Sequence, residues 1–164
     1  MRRAPARRNS RAASEAGYRG RVERFYGVRE VLEKNCDAEF REMRFSEGLG
    51  FTDHLRLANA EGLRPTAFFC AHDGLAVTVI SELLRLGYRI PEDASVVGFG
   101  DYSAATQISP QLTTVKVFGR QMGAACVRLL DDRINERIPP DTPMRVHIAS
   151  RIVERASCGP RPVQ

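Results

Sequence analysis

The stretch from Thr66 to Val115 constrains the fold of this chain more than any other feature. It reads as an apolar strand, an amphipathic helix, a proline-containing turn and a second apolar strand, followed by a polar loop. Alternation of strands and helices through short loops is typical of an α/β fold with a parallel sheet. We therefore expect a parallel sheet flanked by helices.

Polar residues follow both apolar strands at the point where each strand ends. His72 and Asp73 come after the first strand, and Asp101 and Tyr102 come after the second. Because the carboxyl ends of parallel strands meet at one edge of a sheet, this pattern predicts a binding cleft there. Asp73 is also well placed to cap the helix that follows it. No nucleophile, phosphate-binding glycine loop or metal cluster accompanies these residues, so we expect no catalytic residues and no enzyme.

The positive charge of the chain is concentrated at its beginning. The net charge is +5 over 164 residues, and residues 1–20 contain six Arg and one Glu, which accounts for all of it. Such a tail could attract a phosphate backbone, but without apolar periodicity it is expected to be disordered. No secretory signal and no membrane-length apolar run is present, which favours a cytoplasmic protein that does not bind membranes.

The cysteines give no sign of a metal site or a disulfide framework. Cys36, Cys70, Cys126 and Cys158 are widely spaced, without a C-x-x-C pair or a His at ligand spacing. Cys70 lies in an apolar strand and Cys126 on an apolar helical stripe, where a free thiol behaves as a small hydrophobe. This pattern indicates a reduced protein without zinc, and we expect no cofactor.

Hydrophobic periodicity predicts the remaining elements. Four helices are expected, the last from Gln121 to Asn135 with a buried stripe. Strands are expected over 39–45, 66–71, 94–99, 112–117 and 144–149, and 66–71 is apolar enough to be buried on both faces. The other helices are predicted over 22–35, 50–60 and from Asp73 to Gly87. The predicted buried residues are Phe51, Leu55, Leu57 and Ala58 in the second helix, Leu75, Ala76, Val79, Ile80 and Leu83 in the third, Met122, Ala125, Cys126, Leu129 and Leu130 in the last, and Met144, Val146 and Ile148 in the last strand.

Four segments of the chain resemble a known family. They are Arg19–Glu33 (RGRVERFYGVREVLE), Phe68–Ala76 (FFCAHDGLA), Gly87–Asp101 (GYRIPEDASVVGFGD) and Ser109–Val115 (SPQLTTV). With these segments the chain is similar to the effector-sensing domain of bacterial transcription regulators of the LacI/GalR family, whose sensor shares the two-lobed fold of periplasmic sugar-binding proteins. The resemblance covers most of the chain, from about Arg19 to Arg155.

The resemblance implies a division of the chain into unequal parts. Residues 1–20 would be the basic tail, 21–155 a partial sensor domain and 156–164 a flexible tail. Within the sensor, 21–112 would form one lobe nearly whole and 113–155 part of the other. Because nothing before Arg19 resembles a helix-turn-helix headpiece, we expect a truncated, carboxyl-terminal part of such a regulator.

Family ligand positions can be matched to this chain residue by residue. Arg24 matches an Arg that donates to polar effector groups, although it could equally be a solvated helix-surface Arg. Phe45 matches an aromatic that stacks on the ligand, or is a core Phe. His72 stands where the family has Asn, and could instead be an ordinary loop residue. The remaining matched positions are Gly100 and Asp101.

Gly100 departs from the family pattern, which commonly has two consecutive acids at this point. Either Asp101 compensates from the next position, or the effector differs from a simple hexose. A cleft with fewer carboxylates that keeps Arg24 would favour an anionic effector such as a sugar acid.

The resemblance also implies partners and a function. Val77, Ser81 and Ile108 match positions that pair with a second subunit, so the intact protein is expected to be a homodimer. The function implied is sensing of a sugar or sugar acid by a transcription regulator that contacts DNA only through the absent headpiece. The alternative is a periplasmic-type sugar-binding protein, against which the missing signal sequence argues.

Overall fold

A computed structural model describes residues 19–35, 39–44 and 50–160 of the chain. The chain divides into two compact units, Met1–Arg44 and Phe45–Gln164. Helix α1 (Arg19–Asn35) of the first unit coincides with the first predicted helix. Its solvated side carries pairs at i, i+4 spacing, such as Arg29 with Glu33 at 2.6 Å, which support an exposed helix.

Residues 39–44 do not form the predicted strand. The ring of Phe40 packs against Phe25 of α1 instead, with 5.7 Å between ring centroids. No strand in the described part of the chain pairs with this segment. Without a neighbouring strand, the backbone N–H and C=O groups of this segment have no strand to pair with. Its alternating apolar and polar residues therefore do not produce a β-strand.

The second unit contains a four-stranded sheet in the order β1-β2-β3-β4. The β1–β2 and β2–β3 pairs are parallel, whereas β4 runs antiparallel to β3. The predicted α/β class is confirmed, with one antiparallel edge strand added. The elements are α2 (Phe51–Ala60), β1 (Ala67–Phe69), α3 (Asp73–Arg85), β2 (Ser95–Gly100), α4 (Ala104–Gln107), β3 (Thr113–Lys116), α5 (Gly119–Ile134) and β4 (Arg151–Val153).

The core of this unit lies between α3 and the sheet. One face of α3 is buried as predicted, and it meets Val96 of β2 and Leu112 before β3, both fully buried. Leu75 is half-buried at the start of that face, whereas Leu57 of α2 is exposed, contrary to its predicted place in the core. The buried residues of α3 are Asp73, Ala76, Val79, Ile80 and Leu83.

The strand β1 is shorter and more exposed than predicted. It spans Ala67–Phe69 rather than 66–71, and Phe69 is exposed. The strand lies at the edge of the sheet in the described residues, so one of its sides has no neighbour to cover it. Although the sequence of β1 is apolar throughout, the strand is therefore not buried on both faces.

The region from α5 to β4 departs most from the predicted burial. Helix α5 forms where expected but has no buried residue, and Cys126 on it is exposed rather than core-like. Residues 144–149 are not a strand, and Met144 and Val146 are exposed. The strand comes later, at Arg151–Val153, where Ile152 stands opposite Val115 of β3.

A segment after β4 closes the amino-terminal ends of the central strands. The buried Ser157 hydroxyl donates to Val96 O at 2.6 Å and accepts from Thr113 N at 2.8 Å. The Val96 N–H donates to Ser157 O at 2.8 Å. One serine thus satisfies backbone groups of both β2 and β3 where their own ladder ends.

Candidate ligand-binding site

The carboxyl ends of β1, β2 and β3 lie at the same edge of the sheet. Parallel pairing aligns them, and Gly100 at the end of β2 stands opposite Lys116 at the end of β3. The loop after β1 reaches this edge with His72, and the loop after β2 reaches it with Asp101 and Tyr102. The two polar loops predicted from the sequence therefore meet here.

The helix cap at this edge is His72, not Asp73 as the sequence predicted. His72 has an extended backbone, and its Nδ1 accepts from Leu75 N at 3.1 Å. Asp73 is already the first helical residue, and its side chain turns into the protein. An N-cap side chain satisfies one of the free N–H groups of the first turn, and the His ring nitrogen takes that role.

The Asp73 carboxylate links the segment after β1 to the loop after β2 and to β3. It accepts a hydrogen bond from Thr114 Oγ1 at 2.6 Å and another from Tyr102 N at 2.8 Å, and it is fully buried. Gly98 of β2 lies directly beside it, and a Cβ there would overlap Asp73 Oδ1 and come within 2.8 Å of Leu112. A buried carboxylate is tolerated because it is hydrogen-bonded, and the small residue leaves it the space.

Asp101 is held by two cations. Lys116 Nζ lies 2.7 Å from its Oδ2 and Arg155 Nη2 lies 2.5 Å from its Oδ1, and only 8% of the Asp101 side chain is exposed. The hydrogen bond from Lys116 and then that from Arg155 lower the pKa of Asp101 below its ordinary value. The carboxylate is thus ionised, and both of its oxygens already have a cationic partner.

The backbone at this point is in a region that L-residues rarely adopt. Gly100 has φ 132°, and Asp101 has φ 58°, in the left-handed region. Such conformations persist when surrounding contacts over-determine them, and the ion pairs of Asp101 provide those contacts. Gly100, the departure from the family pattern, suits this point because its φ is strained for a residue with a Cβ, and such a Cβ would also meet the ring of Tyr102.

The predicted ligand residues are brought together in part. His72, Gly100 and Asp101 lie on the two loops at the edge, whereas Arg24 is half-buried on α1 in the first unit. Phe45 lies outside the described residues. The ligand roles of all five remain predictions.

The residues predicted for a dimer interface lie on neighbouring elements. Val77 and Ser81 are on α3, and Ile108 follows α4, which packs against α3. Ser81 Oγ donates to Val77 O at 2.9 Å, within its own helix, and Ile108 is half-buried. Their role in pairing remains a prediction.

Sequence reasoning missed Lys116 and Arg155 and did not assign a role to Tyr102. Lys116 ends a strand whose alternation suggested only an extended segment. Arg155 is separated from Asp101 by 54 residues, so no local pattern connects them. The signal that could have found Lys116 is its place at a carboxyl strand end, the same rule that found Asp101.

The chemistry available at the edge is that of binding. Among residues 19–35, 39–44 and 50–160, no group of His, Cys, Asp or Glu side chains could hold a metal ion. Burial, and then the charge of Asp73, raise the pKa of the Cys70 thiol to about 12, so this thiol is not a nucleophile at neutral pH. No helix in the described residues has the length and apolarity to cross a bilayer.

Comparison with known proteins agrees with this class of ligand-binding domain. The periplasmic binding protein-like domain family matches residues 4–158. The transcriptional repressor MelR of Bacillus subtilis (strain 168) is 36% identical over 105 residues, which are 64% of this chain and 30% of MelR. The structure of the regulator CelR in complex with cellobiose superposes with a TM-score of 0.67 at 30% identity, covering 83% of this chain and 42% of that one.

A second structural neighbour is the Lac repressor dimer bound to operator and an anti-inducer. Its TM-score is 0.65 at 28% identity, and the match covers 82% of this chain and 46% of the repressor chain. The chain therefore belongs to the periplasmic binding protein-like family and is related to the sensor domains of LacI-type transcription regulators. This confirms the resemblance predicted from the sequence. The relatives named are regulators, which agrees with the prediction that the chain is not an enzyme.

The chain spans less than half the length of each of these relatives. It covers 30% of MelR, 42% of CelR and 46% of the Lac repressor chain. The site described above lies within the matched part, since the family match extends to residue 158.

Proposed function

We propose that this chain is the effector-binding part of a cytoplasmic LacI-type transcription regulator, and that its effector is a sugar or a sugar acid. The observation that carries the proposal is the preformed carboxyl edge, where Asp73 fastens two polar loops and Asp101 is held between Lys116 and Arg155. Ligand sites in open α/β sheets lie at this edge, and largely pre-formed sites bind small molecules best. CelR was solved with cellobiose, which supports a carbohydrate.

The proposed mechanism is closure of the sensor around the effector. Closure would change the relative pose of two DNA-binding headpieces, and so their fit to an operator. The dimer would form through α3 and α4, using Val77, Ser81 and Ile108. DNA contact is assigned to the headpieces and not to the sheet edge of this chain.

A sugar acid is favoured over a neutral sugar by the charges at the edge. Lys116 and Arg155 both pair with the single Asp101 carboxylate, so the three side chains together carry one net positive charge, which favours an anionic group. Gly100 adds no carboxylate, and Asp73 is buried behind the loops. Lys116 is the more exposed of the two cations, so it is the one that would meet the effector.

A thermal-shift and calorimetric titration of the chain tests this proposal. We would use cellobiose, glucose, glucuronate and gluconate, and expect a bound sugar at ten times its Kd to raise Tm by about 3–5 °C. Asp101→Asn should abolish the shift. Glu92→Gln should keep it, because Glu92 is exposed and precedes β2 at the opposite edge. The absence of binding by all four sugars would refute the proposal, and binding of neutral sugars alone would refute the sugar acid.

A further inference from the structure

Tyr102 is an exposed aromatic residue at the carboxyl edge of the sheet. Its side chain is 63% exposed, although it directly follows the nearly buried Asp101. Between residues 87 and 121, all of which are described, no other large hydrophobic side chain is exposed. Its chain neighbour Asp101 binds two cations, so the exposed ring follows directly on a charged cluster.

The backbone of Tyr102 is fixed on both sides. Its N–H donates to the buried Asp73 carboxylate at 2.8 Å, and its carbonyl accepts from Ala105 N at 2.9 Å, at the start of α4. These bonds tie the residue to α3 and to α4. Two hydrogen bonds therefore hold the main chain of Tyr102, although its side chain is exposed.

The ring of Tyr102 also has a neighbour in the main chain. It lies beside Gly100, so closely that a Cβ on residue 100 would overlap the ring in its present position. Gly100 has φ 132°, a conformation that favours glycine. The ring thus lies beside the end of β2 and remains largely in solvent.

The arrangement has a cost in backbone strain. Asp101 between the two residues adopts φ 58°, a left-handed conformation that is unfavourable for a non-glycine residue. The ion pairs with Lys116 and Arg155 hold it there. None of these contacts buries the Tyr102 ring, which stays exposed beside the ion-paired Asp101.

We propose that Tyr102 is an aromatic platform on which the C–H face of a sugar ring stacks, and that it makes the site selective for effectors in the ring form. This rests on the proposed function, whose binding edge it shares. The face of an aromatic ring is electron-rich and attracts the C–H groups on the apolar face of a pyranose. Polar groups beside an aromatic surface suit a carbohydrate, since its hydroxyls project around the edge of an apolar face.

Calorimetric titration of variants tests the platform. Tyr102→Ala should weaken binding of cellobiose or glucuronate, whichever binds, by roughly tenfold, given about 0.5–1.5 kcal/mol for an aromatic contact beyond area burial. Tyr102→Phe keeps the ring and should remain within about threefold of the parent, a difference smaller than one hydrogen bond. Tyr26→Ala, which removes an exposed tyrosine from α1, is the matched control and should bind as the parent does. Unchanged Tm values would show that each variant is folded.

Gluconate separates the platform from the site as a whole. It is an open-chain acid without a ring face, so Tyr102→Ala should leave any gluconate binding unchanged. If Tyr102→Ala binds ring sugars as tightly as the parent, or if only gluconate binds the parent, the platform is refuted while the proposed function stands. If none of the sugars binds the parent, both are refuted.

Discussion

Helices α3 and α5 follow the same sequence pattern but differ in how much of their apolar face is buried. Both carry an apolar stripe at helical spacing and both form where that spacing predicts. The stripe of α3 is covered by the sheet, and Leu83 on it has no exposed surface. On α5 no residue is buried, and Leu130 is 59% exposed.

The difference shows that periodicity defines which face of a helix is apolar but not what covers it. For α3 the cover is β2, which lies directly ahead in the chain and packs against it through a short connection. For α5 the described residues cover the stripe only in part: Ala125 and Leu129 are half-buried, whereas Met122 and Leu130 are exposed. Helix formation is a local property, whereas burial needs a partner surface.

The largest expected effect is the loss of a buried leucine from α3. Leu83→Ala should lower the free energy of unfolding by about 2–5 kcal/mol, because it removes buried methyl groups and leaves a cavity. Leu130→Ala on α5 should change it by less than about 0.5 kcal/mol, as for other exposed sites. Urea unfolding followed by circular dichroism measures both values. Equal losses in the two variants would mean that the α5 stripe is covered after all.

Two glycine substitutions should change stability in opposite directions. Gly98→Ala places a Cβ against Asp73 and Leu112, and overpacking of this kind costs about 1–3 kcal/mol. Gly123→Ala on α5 meets nothing within 4 Å and should stabilise the helix by about 0.5–1 kcal/mol. Thermal unfolding of both variants tests this prediction. A stabilised Gly98→Ala variant would contradict the close approach described at the edge.

The smallest expected effect is a difference in acid sensitivity. The pKa of Asp101 is lowered in the folded state, so its contribution to stability is complete above its ordinary value of 3.8. It is lost as the pH falls below that value towards the lowered pKa, at about 1.4 kcal/mol for each unit of lowering. Asp101→Asn should therefore flatten the fall in stability as the pH drops below about 4.

The matched control for this measurement is Asp131→Asn on α5. Its carboxylate is exposed, and surface ion pairs such as that with Arg137 add little to stability. The acid profile of this variant should follow that of the parent. An unchanged profile for Asp101→Asn would show that the ion pairs with Lys116 and Arg155 do not stabilise the fold.

Local signals predicted most of this fold, and long-range contacts explain the failures. Apolar stripes and strand alternation located the four long helices and the strands β1, β2 and β3. Strand β4 was placed several residues too early, because its position depends on pairing with β3 and not on its own alternation. The short α4 gave no periodic pattern at all.

The sequence predicted the site only in part, because long-range contacts determine the rest of the site as they do the rest of the fold. The rule that ligands lie beyond carboxyl strand ends placed His72, Asp73, Asp101 and Tyr102 at this edge, whereas Gly100 came from the family resemblance. It could not show that His72 takes the capping role expected of Asp73, since that depends on Asp73 turning towards Thr114 on a strand 41 residues away. The two cations on Asp101 lie 15 and 54 residues further along the chain, so no local pattern connects them to it.

Ser157 has a consequence for how the chain folds during its synthesis. Its hydroxyl joins Val96 and Thr113, which are translated 61 and 44 residues earlier. Until the ribosome has passed this serine, the amino-terminal ends of β2 and β3 lack their partner, and the nascent sheet is exposed at that point. Arg155, which holds Asp101 at the carboxyl edge, lies only two residues before Ser157, so the last contacts at both ends of the sheet become available at almost the same point of synthesis.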